Sequence, residues 1–442
     1  MEHKRFHYKS LDELKQELDL VGVRLPLSED LSALQREVKI GSKTAANSIA
    51  IQPMEGCDGT ADGRPAELTL RRYDRFARSG AGLIWAEAVA ITPEGRANPR
   101  QLWLTRDNLD EYKKFVAGIK ETCMRENGFE PVVIMQATHS GRYSKPEGVP
   151  APLIAYNNPI FEGDKPIAAE RILSDDYLYG LIDKFGASAS LAEQAGFDGV
   201  DIKCCHRYLN SELLSAYTRK GDFGGSLENR TRLLRSGVAA AQAATGSDFI
   251  VTSRLNVYDG FAYPYGWGVR EGEGTEVDLT EPLELVRVLH QEMGMKLLDV
   301  TIGNPYFNPH VNRPYDGGPY VPSEHPLEGV ARMAHCVAEI QRANPELKVI
   351  SSGLSYLRQF SANLAAGELE NGVCSIAGFG REAFAYPDFP QDIFKKGAME
   401  PNKCCIACGK CTELMRAGST AGCVIRDEVY LPIYRRDVQD KK

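Results

Sequence analysis

Eight short apolar runs recur along the chain and alternate with longer amphipathic stretches: NSIAIQPM, GLIWAEAVAI, PVVIMQAT, FDGVDIK, DFIVTSRL, KLLDVTIG, LKVISSG and GVCSIAGFG. Runs this continuously apolar suit strands buried on both faces. The intervening stretches, such as NLDEYKKFVAGIKETCM, SLENRTRLLRSGVAAAQAATG, EPLELVRVLHQEMG and LEGVARMAHCVAEIQRA, show the apolar recurrence of helices. Eight such βα units predict an α/β chain folded as a parallel (β/α)8 barrel of the TIM type, with its chemistry at the C-terminal ends of the strands. A barrel takes about 250 residues, so the 442 residues present divide into an N-terminal extension (1–38), the barrel (39–399) and a C-terminal segment (400–442).

Part of the surplus lies in two long stretches, GRYSKPEGVPAPLIAYNNPIFEGDKPIAAERILSDD after the third run and GNPYFNPHVNRPYDGGPYVPSEHP after the sixth. Both are rich in Pro, Gly and aromatic residues and too long for plain connections, so they are candidates for a substrate lid. Ordered surface decoration is the competing reading for any one of Tyr306, Phe307 and Tyr315. No strand is followed by the G-x-G-x-x-G fingerprint of a dinucleotide fold.

The C-terminal segment contains CCIACGKCTELMRAGSTAGC, which gathers five of the eleven cysteines. The N-terminus, MEHKRFHYKSLDELKQELDL, has no apolar core of a signal peptide, and no apolar stretch approaches about 18 residues. The chain therefore reads as cytoplasmic, without a membrane partner, and its thiols as reduced. Read from Cys405, the spacing is C-x2-C-x2-C-x11-C, so Cys405, Cys408, Cys411 and Cys423 can surround one [4Fe–4S] cluster. Zinc is the main competitor, although its ligands usually come as two separated C-x2-C pairs. Cys404 is left over, and the other six cysteines read as small buried apolar residues. With 52 Lys and Arg against 60 Asp and Glu, a net charge of −8 and no basic stripe, nucleic acid is not an expected partner.

An iron–sulfur cluster moves electrons singly and needs a partner that does the organic chemistry. The strand ends QPMEG, WAEAVA, MQATHSGR, IKCCHRYLN, TSRLN, IGNPY, SSGL and GFGREAF together resemble the flavin-binding barrel of the Old Yellow Enzyme family. The terminal cysteines resemble its iron–sulfur branch, which includes 2,4-dienoyl-CoA reductase and trimethylamine dehydrogenase. The resemblance runs from Lys39 to Cys423, with GDFGGSLENR and GFGREAFAYPDFP as its most specific stretches.

The resemblance implies FMN as cofactor. Pro53 and Met54 would lie against the isoalloxazine, Ala88 beside it, and Gln136 would hydrogen-bond its pyrimidine edge. Arg254 would stand near N1, where a fixed guanidinium stabilises the anionic reduced ring. Ser352, Gly353, Gly380 and Arg381 would form a phosphate site after the seventh and eighth strands. Lys203, His206 and Tyr208 would face the substrate, the first two gripping its electron-withdrawing group and the phenol delivering a proton. Two positions depart from the family pattern. Lys203 stands where relatives most often carry His, and Glu55 stands beside the ring where they carry a small Thr or Cys.

The expected activity is that of an FMN- and [4Fe–4S]-dependent ene-reductase acting on the C=C bond of a carbonyl-conjugated alkene, with Tyr208 as general acid. Two alternatives stay open, an amine-dehydrogenase-like flavoprotein passing electrons out through the cluster and a non-catalytic electron-transfer subunit. Only about twenty residues follow Cys423, whereas longer members of the branch carry an FAD- and nicotinamide-binding region there. The expected electron donor is therefore a small ferredoxin or a separate flavoprotein reductase, with NAD(P)H as a direct or indirect source. The sequence leaves a monomer and a homo-oligomer equally open.

Overall fold

The computed structural model describes residues 5–272 and 274–441. Its centre is a ring of parallel strands, and their edges meet in the order the eight apolar runs predict. After an antiparallel hairpin of β1 (Val38–Ile40) and β2 (Lys43–Ala45), the ring is built from β3 (Ile49–Ile51), β4 (Leu83–Ala90), β5 (Val132–Thr138), β6 (Gly199–Ile202), β7 (Ile250–Thr252), β8 (Arg254–Asn256), β9 (Leu297–Thr301), β10 (Lys348–Ile350) and β11 (Ala377–Phe379). Hydrogen bonds link β11-β3-β4-β5-β6-β7 and β10-β9-β8. Bridges from Ile350 to Ile376 and from Cys204 to Leu255 join the two sets. β7 and β8 are halves of one barrel strand, interrupted at Ser253, whose hydroxyl donates to the Ile202 carbonyl at 2.8 Å. Nearly every strand residue is buried because helices cover the outside and packed side chains fill the inside.

Two expected helices are not continuous. The stretch from Ser226 forms Leu227–Arg230 and then Arg232–Ala243, broken at Thr231. There the threonine hydroxyl bonds back to the Leu227 carbonyl at 2.8 Å, a local alternative to the helix ladder. The stretch from Thr280 is helical to Arg287 and then widens into a π-turn over Val288–Glu292.

The N-terminal extension buries Leu14 and Leu18 of its helix Leu11–Val21 in the main apolar cluster. The C-terminal segment joins the same cluster through Cys404, Ala407 and Ala421. It lies across the C-terminal ends of the strands, where Thr420 Oγ1 and the Ala421 amide both donate to the Gly56 carbonyl, at 2.9 and 2.7 Å. Farther out, the buried Asp427 carboxylate pairs with Arg71 and Arg75 on the helix Glu67–Arg78. Gly422 makes this closure, since a Cβ there would stand 2.2 Å from the Tyr430 ring. Gly422→Ala is accordingly expected to lower stability by about 1–3 kcal/mol, the usual cost of overpacking. Limited proteolysis should find the segment after residue 399 cut first.

Candidate active site

The turn after β6 is held in an uncommon backbone shape. His206 and Arg207 both have positive φ, 62° and 58°, a conformation that costs a non-glycine residue roughly 1–3 kcal/mol. A fully buried ion pair between Arg207 and Asp259, at 2.8 Å, fixes the turn. This arrangement turns Lys203, His206 and Tyr208 toward one cavity at the strand ends, which encloses about 1050 Å³ of empty space, part of it open to solvent.

All thirteen non-cysteine residues singled out from the sequence line that cavity: Pro53, Met54, Glu55, Ala88, Gln136, Lys203, His206, Tyr208, Arg254, Ser352, Gly353, Gly380 and Arg381. Tyr306 of the loop after β9 lines it too, whereas Phe307 is half exposed and Tyr315 is buried. The two long loops meet above it. Tyr143 lies 4.1 Å from Tyr306 between ring centres, and Phe161 lies 5.1 Å from Phe307.

The floor is a polar network that sequence reading missed. Gln52 Nε2 donates to Asp299 Oδ1 at 2.8 Å and to Ser352 Oγ at 2.6 Å, and Arg254 Nε stands 3.1 Å from Asp299 Oδ2. On the adjoining side Gln136 Nε2 donates to Asp201 Oδ2 at 2.6 Å, which also accepts from Trp85 Nε1 at 3.0 Å. Asp201 and Asp299 sit in otherwise apolar strands, and that interruption of GVDI and LLDVT was the available signal. Burial pushes the Asp299 carboxyl up to about 6 against the pull of Arg254, and that of Asp201 up to about 7 against the pull of its hydrogen bonds.

For Asp201 this has a measurable sign. A carboxyl that is raised in the folded state contributes stability that is complete below its ordinary value of 3.8 and is lost as the pH rises through about 7. Urea-unfolding midpoints should therefore fall between about pH 5 and about pH 7.5, and Asp201→Asn should flatten that slope.

In the wall after β6, Lys203 forms no ion pair among the described residues. Lys203 Nζ lies 3.8 Å from the Tyr208 ring centre. Burial lowers the basicity of Lys203, opposed by Cys205, Glu55 and Asp201. Burial, together with Arg254, Lys203 and Arg313, holds the imidazole of His206 well below its ordinary value, so it is neutral. Its Nε2 is buried without a hydrogen-bond partner. The Tyr208 hydroxyl is 2.8 Å from that of Tyr306 and 3.4 Å from Glu55 Oε2. Arg313, also missed, lines the cavity and reaches Thr412 Oγ1 of the C-terminal segment.

These features fit a flavin nucleotide. Gly353 has φ 83°, and Cβ atoms at Gly353 and Gly380 would come within 3.2 Å of Met333 and 3.1 Å of Met54, so both positions present bare backbone to the cavity. The unpartnered His206 nitrogen awaits an acceptor or donor, and Arg254 and Arg381 supply positive charge.

Beside this cavity Cys405, Cys408, Cys411 and Cys423 line a second, smaller one of about 380 Å³. Among the described residues no three His, Cys, Asp or Glu side chains converge as the ligands of a single metal ion would. The four thiols surround a space instead, which is the donor set a multi-iron cluster takes. Cys404 is absent from the ring and donates to the Glu400 carbonyl at 3.3 Å. The six cysteines expected to be buried are buried. Arg381, Phe384 and Cys411 border both cavities.

A parallel barrel with a polar cavity at its strand ends is the architecture of a barrel enzyme. The profile described as the NADH:flavin oxidoreductase / NADH oxidase family matches residues 34–268, and the chain belongs to that family. It is 27% identical over 422 residues to an NADH oxidase of Thermoanaerobacter brockii, covering 92% of this chain and 58% of the relative. It is 32% identical over 204 residues to an NADPH dehydrogenase of Halalkalibacterium halodurans, covering 45% and 56%. The chain thus spans less than two thirds of the length of these relatives. In fold it is similar to a 2-naphthoyl-CoA reductase (TM-score 0.73, 18% identity, 91% of this chain and 58% of that one). It is likewise similar to a histamine dehydrogenase from Rhizobium sp. 4-9 (TM-score 0.68, 20% identity, 89% and 52%). Among the described residues no helix is long and apolar enough to cross a membrane.

Proposed function

We propose that the protein is an FMN-dependent ene-reductase that reduces the C=C bond of a carbonyl-conjugated alkene. The observation that carries this reading is the wall after β6, where a neutral His206 with a free buried nitrogen, the Lys203 amine and the Tyr208 phenol face one cavity floored by Arg254. FMN, when bound, supplies the hydride. His206 and Lys203 hold the substrate carbonyl and favour negative charge on its oxygen. Tyr208 passes its proton to the α-carbon, and the loops carrying Tyr143 and Tyr306 keep water away. Pro53, Met54, Ala88 and Gln136 hold the flavin ring, Arg254 its N1 side, and Ser352, Gly353, Gly380 and Arg381 its phosphate.

A second reading, amine oxidation, is favoured by the three phenols Tyr143, Tyr208 and Tyr306 around one space, since aromatic faces attract cations. Against it, Lys203 already stands on the Tyr208 face and would repel a charged amine. The deciding experiment mixes anaerobically reduced protein with enones, enoates and enoyl thioesters while following flavin reoxidation, and oxidised protein with amines while following bleaching. Reoxidation by an alkene supports the reductase; bleaching by an amine with no alkene response overturns it.

The four-thiol pocket is read as the place where Cys405, Cys408, Cys411 and Cys423 would hold a [4Fe–4S] cluster, which would supply single electrons to the flavin. A small ferredoxin or separate flavoprotein reductase would load it. Reduced ferredoxin should then reduce the flavin faster than NADH or NADPH does, and an equal rate after a ligand is replaced would make the cluster structural.

A further inference from the structure

We propose that Glu55 is the acid that returns a proton to Tyr208 after each turnover, an inference that rests on the reductase reading. Tyr208 is 1% exposed, so once its phenolic O–H bond breaks and the proton joins the substrate carbon, the shortest return route for a proton runs through the groups bonded to its oxygen. Among the described residues two polar groups contact its oxygen, the Tyr306 hydroxyl at 2.8 Å and Glu55 Oε2 at 3.4 Å. Tyr306 is another phenol, pushed far above its ordinary range chiefly by burial, so it transmits a proton poorly as a source. Glu55 is the better acid of the two.

Its surroundings hold one carboxyl oxygen against the phenol. The Asn98 amide donates to Glu55 Oε1 at 3.0 Å, which leaves Oε2 aimed at Tyr208. No Lys or Arg forms an ion pair with Glu55 among the described residues, although Lys203 shares the cavity. The charged and titratable groups around it are Lys203, Tyr208 and Tyr306 on the cavity side and Cys57 and Asp58 on its own loop. Burial raises the carboxyl above its ordinary value, opposed by Lys203, Tyr208 and Asn98 and assisted by Asp58.

The transfers balance. Tyr208 loses its proton to the α-carbon, Glu55 O–H gives one to the phenolate, and the resulting carboxylate regains one from water beside the half-exposed Asn98. No electron moves in these steps.

The test separates first from later turnovers in protein carrying its cofactors. With 2-cyclohexenone, Glu55→Gln should complete the first reoxidation within about twofold of the wild type, because Tyr208 starts protonated, and slow later turnovers by at least about tenfold. Glu55→Asp should recover part of the loss. Equal slowing of first and later turnovers, or no slowing of either, overturns the relay. An infrared spectrum gives a readout that needs no turnover, the C=O band of a protonated carboxyl at neutral pH. In difference spectra against Glu55→Gln, which cancel other protonated carboxyls such as Asp201, this band should be present in wild type and in Tyr208→Phe and shifted in Glu55→Asp. If no alkene reoxidises even the wild type, the reductase reading fails, and the infrared band alone then decides whether Glu55 stands as a protonated acid beside Tyr208. If Glu55→Gln does not fold, the shift in Glu55→Asp assigns the band, and an unshifted or absent band overturns the proposal.

Discussion

Cys423→Ser is expected to abolish the iron content of the protein and the broad absorption beneath the flavin bands, while the flavin itself remains bound. The reasoning follows from the two cavities. Cys423 closes the thiol ring from the far side of the segment, separated by eleven residues from the C-x2-C-x2-C run, and it does not line the larger cavity. A cubane lacking one thiolate loses its hold, whereas the flavin-holding residues keep theirs. Cys404→Ala is the control. Its sulfur points to the Glu400 carbonyl, so iron should be unchanged. Iron and acid-labile sulfide assays on protein purified without oxygen provide the measurement, and stoichiometric zinc in place of iron would refute the assignment.

The second large effect is expected from Tyr208→Phe. Removing the phenol while keeping its ring preserves the stacking on Tyr306 and the contact with Lys203. Flavin reduction should be nearly unchanged, since no proton from this wall enters that half-reaction. Alkene-dependent reoxidation should fall by about 10²–10⁴-fold, the usual worth of a positioned general acid. Rapid-mixing measurements of the two half-reactions separate these outcomes, and equal slowing of both would remove Tyr208 from the role of acid.

How far the site was legible in the sequence differs between its walls. The strand ends carry their functional residues next to one another along the chain, as in Lys203, His206 and Tyr208, so short stretches sufficed. The floor does not work that way. Gln52 meets Asp299 across 247 positions of sequence, and the pairing follows only from barrel closure, in which β3 and β9 come to face the same interior. Arg313 escaped notice for a similar reason, because its value depends on where a long loop turns back toward the C-terminal segment. The break of the fifth barrel strand at Ser253 was hidden because DFIVTSRL reads as one run of strand length, with no Gly or Pro to mark an interruption. The helix broken at Thr231 has apolar residues at helical spacing on either side of the break, Leu227 before it and Leu234, Val238 and Ala241 after it, and there a side-chain hydrogen bond overrode the periodicity.

The hydrogen bonds from Thr420 and Ala421 to Gly56, and the pairing of β11 with β3, also bear on how the molecule is made. The first barrel strand leaves the ribosome long before the strand that completes its edge, and the loop at Met54–Gly56 waits longer still for the segment that caps it. Contacts so distant in sequence form late and slowly. In the newborn chain the larger cavity therefore stands open on that side, and the smaller one has no walls, until the cysteine segment has been synthesised and folded back. The last contacts to form are thus the ones that complete the thiol-lined cavity and close the larger one beside it.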